Sequence, residues 1–451
     1  MPVPANKQQK LEALFLNRVT GLQWYYFEID LSKNLSVGTN QRSLYGKYLA
    51  NTQQQGIDTA ISQNEAGDFE YSPPNPDPND RMSTNRPQQI LWELLAYTRS
   101  RAGAPRDILR RIFDENEPGV LNRSEAHLGS LGWANRFSQK RRGKIFLKKL
   151  RSKQFKQQKP LMIMAEGDSW FHFPRLPILG HPVRDIIDHL MKKPDLVVRN
   201  LASGGDWLSN MVKTADYIQE LDRIHPDAFL FSGGGNDMLG GHRLAKMIRK
   251  PDDNEDRKID NKIRQLLNLR SAHPHESFDR TKYARGLAFL TDDFFNFINV
   301  TMSQYFLLLS EIFALGKFQQ MKFITHGYDY VIPTAKRRGH ILTLNYWMNR
   351  KLNSGKWLHD PMMLKGIFDE ADQQAILYTM VYEINEMLIS LAQYPPFKNL
   401  YHIDCRGVAR GKQDWYDEIH LRSPKFKEVA ELFYQCILAK NDHKQKVYRV
   451  S

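Results

Sequence analysis

From Leu161 onward, short apolar runs alternate with longer stretches in which apolar residues recur every three or four positions. The short runs "PLMIMA", "PDLVVRNLA", "PDAFLFSG", "KFITHGYDYVIP" and "NLYHIDCRG" are predicted strands. The stretches "VRDIIDHLMKK", "LSNMVKTADYIQELDRI", "TDDFFNFINVTMSQYFLLLSEIFALG", "QQAILYTMVYEINEMLISLAQY" and "PKFKEVAELFYQCILA" carry the helical period. Near-continuous apolar strands that alternate with helices specify a parallel sheet buried on both faces. With right-handed crossovers this is an α/β fold, a three-layer α/β/α sandwich on a five-stranded parallel sheet of flavodoxin-like type. Ligands of such sheets gather beyond the C-terminal ends of the strands.

The alternation is interrupted twice. Residues 252–282 are highly polar, and residues 336–369 mix basic, aromatic and methionine side chains. The second insertion reads equally as a lid and as a packed surface loop. Before residue 156 the pattern changes. A strand is predicted over Gln23–Leu31, a loop at "SPPNPDPND", where proline fixes φ and removes a donor, and an amphipathic helix at "RPQQILWELLAYTRSRAG". The expected organisation is an N-terminal region over 1–155, α+β or mainly helical and of unknown role, ending in a basic linker. A sandwich domain over 156–438 and a polar tail over 439–451 follow.

The length of 451 residues suits two domains. No run of 18 apolar residues predicts a transmembrane helix, and the start has no apolar core of a signal peptide. Cys405 and Cys436 are too few for a disulfide framework or a cysteine-based zinc site, so a cytoplasmic location is expected, with secretion by another route left open. The net charge of +14 favours a polyanion or an anionic membrane surface as partner. The run from Gln139 to Lys159 has no acid, and Ile145, Phe146, Leu147 and Leu150 give it an apolar component. It reads as a solvated helix and linker, or as a contact for lipid headgroups, with nucleic acid less favoured.

Chemistry concentrates at the strand ends. In "LMIMAEGDSWFHFP" the first strand delivers Gly167, Asp168 and Ser169 to the point where the chain turns into a helix. Backbone N–H groups are unpaired there, although for the motif taken alone a capping role for Asp168 or Ser169 is the better explanation. "NLASGGDWL" ends the second strand with two glycines, and "FSGGGNDMLGG" ends the third with a glycine run before Asn236. Glycines admit close backbone approach, and an asparagine amide can donate to an oxyanion. "DWYDEIHLRS" follows the fifth strand and sets Asp417 three residues before His420, a spacing that lets a carboxylate orient an imidazole base.

In these four blocks the chain resembles the SGNH (GDSL-type) hydrolases over roughly 160–438. "GDSW" matches the serine block, "NLASGGDW" the glycine block, "GGND" the asparagine block and "DEIH" the Asp-x-x-His block. "THGYDYVIP" and "IDCRG" look like strand ends of one bacterial branch of that family. The final block departs from the pattern, continuing "HLRSPKF" where a proline often follows the histidine. The resemblance implies Ser169 as nucleophile, His420 as general base and Asp417 as its orienter. It implies an oxyanion hole from the N–H groups of Ser169 and Gly205 and the amide of Asn236, with no metal or organic cofactor. The implied activity is that of an esterase or lipase-like acylhydrolase on phospholipid or other acyl esters, with an O-acetyl-sugar esterase as the alternative. A different class is a silent module of this fold that binds nucleic acid or a partner protein. The pattern Gly-x-Ser-x-Gly is absent around Ser169, which argues against an α/β-hydrolase elbow. His172 is expected on a helix face or the surface. His273 and His275 lack the partners of a metal site, and Asp252, Asp253, Glu255 and Asp256 read as a solvated loop.

Overall fold

The computed structural model describes residues 61–63, 69–71, 129–152, 159–173, 183–239, 243–251, 261–272, 274–314, 316–334, 357–394, 397–441 and 444–450. The predicted strand at 23–31, loop at 72–80 and helix at 86–103 lie outside them, as do His273, the acidic run at 252–256 and most of the second insertion.

The strands are β1 (Ile61–Gln63), β2 (Phe69–Tyr71), β3 (Leu161–Gly167), β4 (Leu196–Asn200), β5 (Ala228–Ser232), β6 (Lys322–His326), β7 (Leu400–Asp404) and β8 (Val447–Arg449). The helices are α1 (Gly129–Leu150), α2 (Ile186–Leu190), α3 (Leu208–Thr214), α4 (Asp216–Ile224), α5 (Gly235–Leu239) and α6 (Leu244–Met247). They continue as α7 (Asn261–Ala272), α8 (Arg280–Phe289), α9 (Asp292–Ala314), α10 (His359–Leu364), α11 (Glu370–Gln393) and α12 (Ser423–Leu438). The chain divides into two compact units, Met1–Val120 with Asp292–Gly316, and Leu121–Thr291 with Lys317–Ser451. In the first, β1 and β2 pair antiparallel, and α9 buries Phe294, Ile298, Met302, Tyr305, Leu309 and Ile312 at helical spacing.

The second unit carries a six-stranded parallel sheet in the order β4-β3-β5-β6-β7-β8. All five predicted strands are present. The sixth, β8, comes from the expected polar tail and covers the outer edge of β7. Side chains alternate across a strand, so residues three apart on β6 face opposite ways. Phe323 meets Phe229 and Phe231, which meet Tyr217 of α4. His326 meets Phe433 of α12 on the other face. Helices thus cover both faces.

Helices α2 and α12 pack on one another and share that second face. Yet the chain steps from β3 to β4 in one direction and from β7 to β8 in the other. The two crossovers therefore have opposite hands, and the uniform right-handedness expected from the sequence does not hold. The stretch predicted as one helix after β4 is two, α3 and α4, broken at Ala215, whose φ of 49° is left-handed. Within the polar insertion 252–282 the chain forms α7. Helix α11 is long and apolar enough to cross a membrane by composition. It is 89% buried over that window, packs on α8 and β7, and is a core helix of this unit.

The boundary expected at 156 falls too late. Helix α1 turns Asn135, Ser138, Arg142 and Phe146 inward at helical spacing and packs on β4. Arg142 is buried, donates to Phe171 O and pairs with Asp185 and Asp188 around α2. The basic segment thus starts as a structural helix of the sheet-bearing unit. Conversely, α9, expected within the sandwich domain, groups with the other unit.

Candidate active site

The sheet reverses its order between β3 and β5, and ligands of open α/β sheets bind at such a switch point. Ser169 follows β3 there. The strand ends with Gly167 against Ser232 of β5, so close that a Cβ on Gly167 would lie 2.5 Å from the Ser232 Cβ. Glycine is required by that contact. Asp168 is buried and caps the turn that follows. Its Oδ1 accepts from the Trp170 N–H at 3.0 Å and the Ser232 hydroxyl at 2.7 Å, and its Oδ2 accepts from the Tyr328 hydroxyl at 2.6 Å. Asp168 O takes the N–H groups of Phe171 and His172, and Trp170 O takes that of Ile186. No helix begins at Ser169, contrary to expectation. The turn closes on itself through these bonds.

Ser169 Oγ lies 2.7 Å from His420 Nε2. His420 Nδ1 lies 2.9 and 2.8 Å from the two carboxylate oxygens of Asp417. With the Nδ1–H donated to Asp417, Nε2 is the acceptor of the Ser169 O–H. Asp417 Oδ1 also accepts from the N–H groups of Ile419 and His420, and Tyr416 N–H donates to His420 O. Trp415 and Leu421 form an antiparallel bridge around this turn. The two functional groups therefore share a carboxylate-capped loop. Trp170 Nε1 donates to Ile419 O, which ties the serine turn to the histidine turn. Phe173 and Trp357 set their rings nearly perpendicular to the imidazole, at 5.0 and 5.9 Å.

The two loops carrying the other expected donors adjoin the serine turn. Ser203 N–H donates to Gly167 O at 2.9 Å. Gly205 adopts a φ of 84°, a left-handed value that favours glycine. The backbone N–H groups of Ser169 and Gly205 have no acceptor among the described residues. Asn236, in the first turn of α5, donates one amide hydrogen to Asp206 O at 2.9 Å, which leaves the second for a ligand. The preceding residue, Gly235, donates its N–H to Tyr328 Oη at 3.0 Å. One phenol thus joins the asparagine helix to Asp168.

Three positions went unmarked in the sequence. Glu418, between Asp417 and His420, is fully buried. Its Oε1 accepts from the N–H groups of Thr334 and His359, and its Oε2 from those of Trp357 and Leu358, all at 3.0–3.2 Å. One carboxylate thereby fastens both flanks of residues 335–356 to the histidine turn. Burial pushes this carboxyl up, and the four N–H donors pull the other way. Asn135 and Gln139 of α1 hold the glycine loop. Asn135 exchanges two hydrogen bonds with Gly204, and Gln139 donates to Leu201 O, Ala202 O and Ser203 Oγ. The only advance signal of the pair was its spacing of four on a helix, which sets both side chains on one face.

Beneath the site, Glu166 is raised to about 8 by burial, with the Asp206 charge adding to the shift and the Gly167 N–H opposing it. His326, which contacts Ser232 Oγ at 2.7 Å, is lowered by burial. His172 is fully buried, not on a surface. His275 contacts Asp404 at 3.0 Å and Ser277 Oγ at 2.8 Å. Among the described residues no group of three metal-ligating side chains occurs.

The molecule so defined is a parallel α/β protein with a Ser–His–Asp hydrogen-bond network at its switch point. Among solved structures, that of a candidate GDSL-like lipase from Parabacteroides merdae ATCC 43184 is similar at a TM-score of 0.32 and 10% identity, over 61% of this chain and 95% of that one. No family model and no curated protein matches the chain. The fold class and site geometry rest on this chain's own sheet order and hydrogen bonds.

Proposed function

We propose that this protein is a serine hydrolase of carboxylic esters. The observation that carries the reading is the contact of Ser169 Oγ with His420 Nε2 at 2.7 Å while Asp417 holds Nδ1 at 2.8 Å. His420 takes the Ser169 proton as Oγ bonds to the ester carbonyl carbon, and Asp417 stabilises the imidazolium. The carbonyl oxygen becomes an oxyanion that accepts from the Ser169 and Gly205 N–H groups and the second amide hydrogen of Asn236. The alcohol leaves with the proton from His420. Water, deprotonated by the same imidazole, then cleaves the acyl–Ser169 ester, releasing the acid and restoring the serine.

Initial rates on p-nitrophenyl esters of increasing acyl length test the reading. Wild type should turn over at least one ester at a rate that Ser169→Ala reduces by three orders of magnitude or more. Equal rates for the two proteins would refute it.

A further inference from the structure

We propose that the outward face of α1 docks the protein on an anionic lipid surface, making phospholipids of that surface the ester substrate. Only the substrate assignment rests on the reading of the site as an ester hydrolase. Helix α1 has no acid in its 22 residues. Its inward cations are engaged, Arg142 with Asp185 and Asp188, and Lys149 with the carbonyls of Lys193 and Leu196. Its outward cations are arranged differently. Arg136, Lys140, Lys144 and Lys148 are exposed at successive spacings of four, and none forms an ion pair among the described residues. Like charges at that spacing oppose the helix by a few tenths of a kcal/mol per pair. The stripe costs stability and makes no compensating contact within the described structure.

Within that arc Leu147 is 48% exposed, and Ile145, 37% exposed, lies on the flank of the helix beyond Lys148. Aliphatic side chains among lysines suit a headgroup layer with acyl chains beneath it. Phosphodiester backbones and bases offer Ile and Leu little, which disfavours nucleic acid. Charge is complementary on the larger scale as well, since the chain carries +14. The inner face of the same helix grips the glycine loop through Asn135 and Gln139. Docking therefore sets a lipid surface about one helix diameter, ~10 Å, from the loop that carries Gly205.

The test is co-sedimentation of the full-length protein with phosphatidylglycerol and phosphatidylcholine vesicles, using wild type and the triple variant Lys140→Glu/Lys144→Glu/Lys148→Glu. Each lysine near an anionic surface contributes about 1 kcal/mol. The variant should lose at least a hundredfold in affinity for phosphatidylglycerol, wild type should ignore phosphatidylcholine, and added salt should weaken binding. Fatty-acid release from phosphatidylglycerol vesicles should fall with binding, while turnover of a soluble short-chain ester stays at the wild-type rate and shows the variant to be folded. Wild type that ignores phosphatidylglycerol, or a variant that binds it equally, overturns the proposal. So does tighter binding to a single-stranded RNA competitor than to vesicles. Vesicle binding without turnover of any ester would sink the hydrolase reading and leave the docking face standing.

Discussion

His420 has one nitrogen on each of two partners, and that division is what residue-scale chemistry requires of a base. Ser169, Asp417 and His420 were legible in the sequence because each stood beside a sign of its local geometry: a glycine before a turn, or an acid at a spacing of three. Glu418 was not, because nothing in "DEIH" separates an exposed acid from one buried under four N–H groups. Asn236 was legible as a donor, and its retention by Asp206 O makes it a rigid one. Asn236→Ala should lower kcat on an ester by about 10²–10³ with little change in KM. A KM effect alone would make Asn236 a ground-state contact.

Glu166 supplies a second residue-scale prediction. Its folded-state carboxyl stands near 8 against an ordinary 4.5. Between those values the folded protein holds a proton that the unfolded chain has released. Stability is therefore lost as pH rises through that window, by at most about 1.4 kcal/mol per pH unit. Glu166→Gln removes this dependence and keeps an acceptor for the Gly167 N–H. The variant's melting temperature should gain on wild type steadily from pH 5 to pH 8, as read by thermal unfolding across buffers. A constant difference would show that the carboxyl is ionised in the fold.

At the scale of elements, the five strands and their order along the chain were readable because each carries a short apolar or aromatic run bounded by turn residues, even where Lys322, His326 and His402 interrupt it. β8 was not readable. It has three residues, "VYR", among lysines, and its crossover from β7 on the α12 face has the opposite hand to the step from β3 to β4. The role of α1 was hidden for a similar reason, since charge dominated its sequence while its inner face is set by Asn135, Ser138 and Arg142. The clamp on the second insertion is likewise a property of elements. Glu418→Gln turns an amide NH₂ toward backbone donors, and leaving buried N–H groups unsatisfied costs about 1–3 kcal/mol. The variant should unfold at lower denaturant, and hydrogen exchange at Trp357–His359 should quicken while β3 and β5 stay protected. Unchanged exchange there would mean that the carboxylate does not fasten the insertion.

At the scale of the whole molecule, the sequence does not show which segments group into each of the two units. A helix in the middle of the chain, α9, groups with the N-terminal unit, and α1 groups with the sheet. Sequence order cannot show such exchanges, because burial of an apolar face does not say which unit buries it. What the sheet-bearing unit does achieve is convergence. Ser169 and His420, 251 residues apart, meet at the mouth of the β3 turn. The most direct measurement of that convergence is covalent labelling with a fluorophosphonate, followed by mass-spectrometric mapping of the adduct. One adduct is expected, on Ser169, formed slowly or not at all by His420→Ala. An adduct on another serine, or none on the folded wild-type protein, would contradict it.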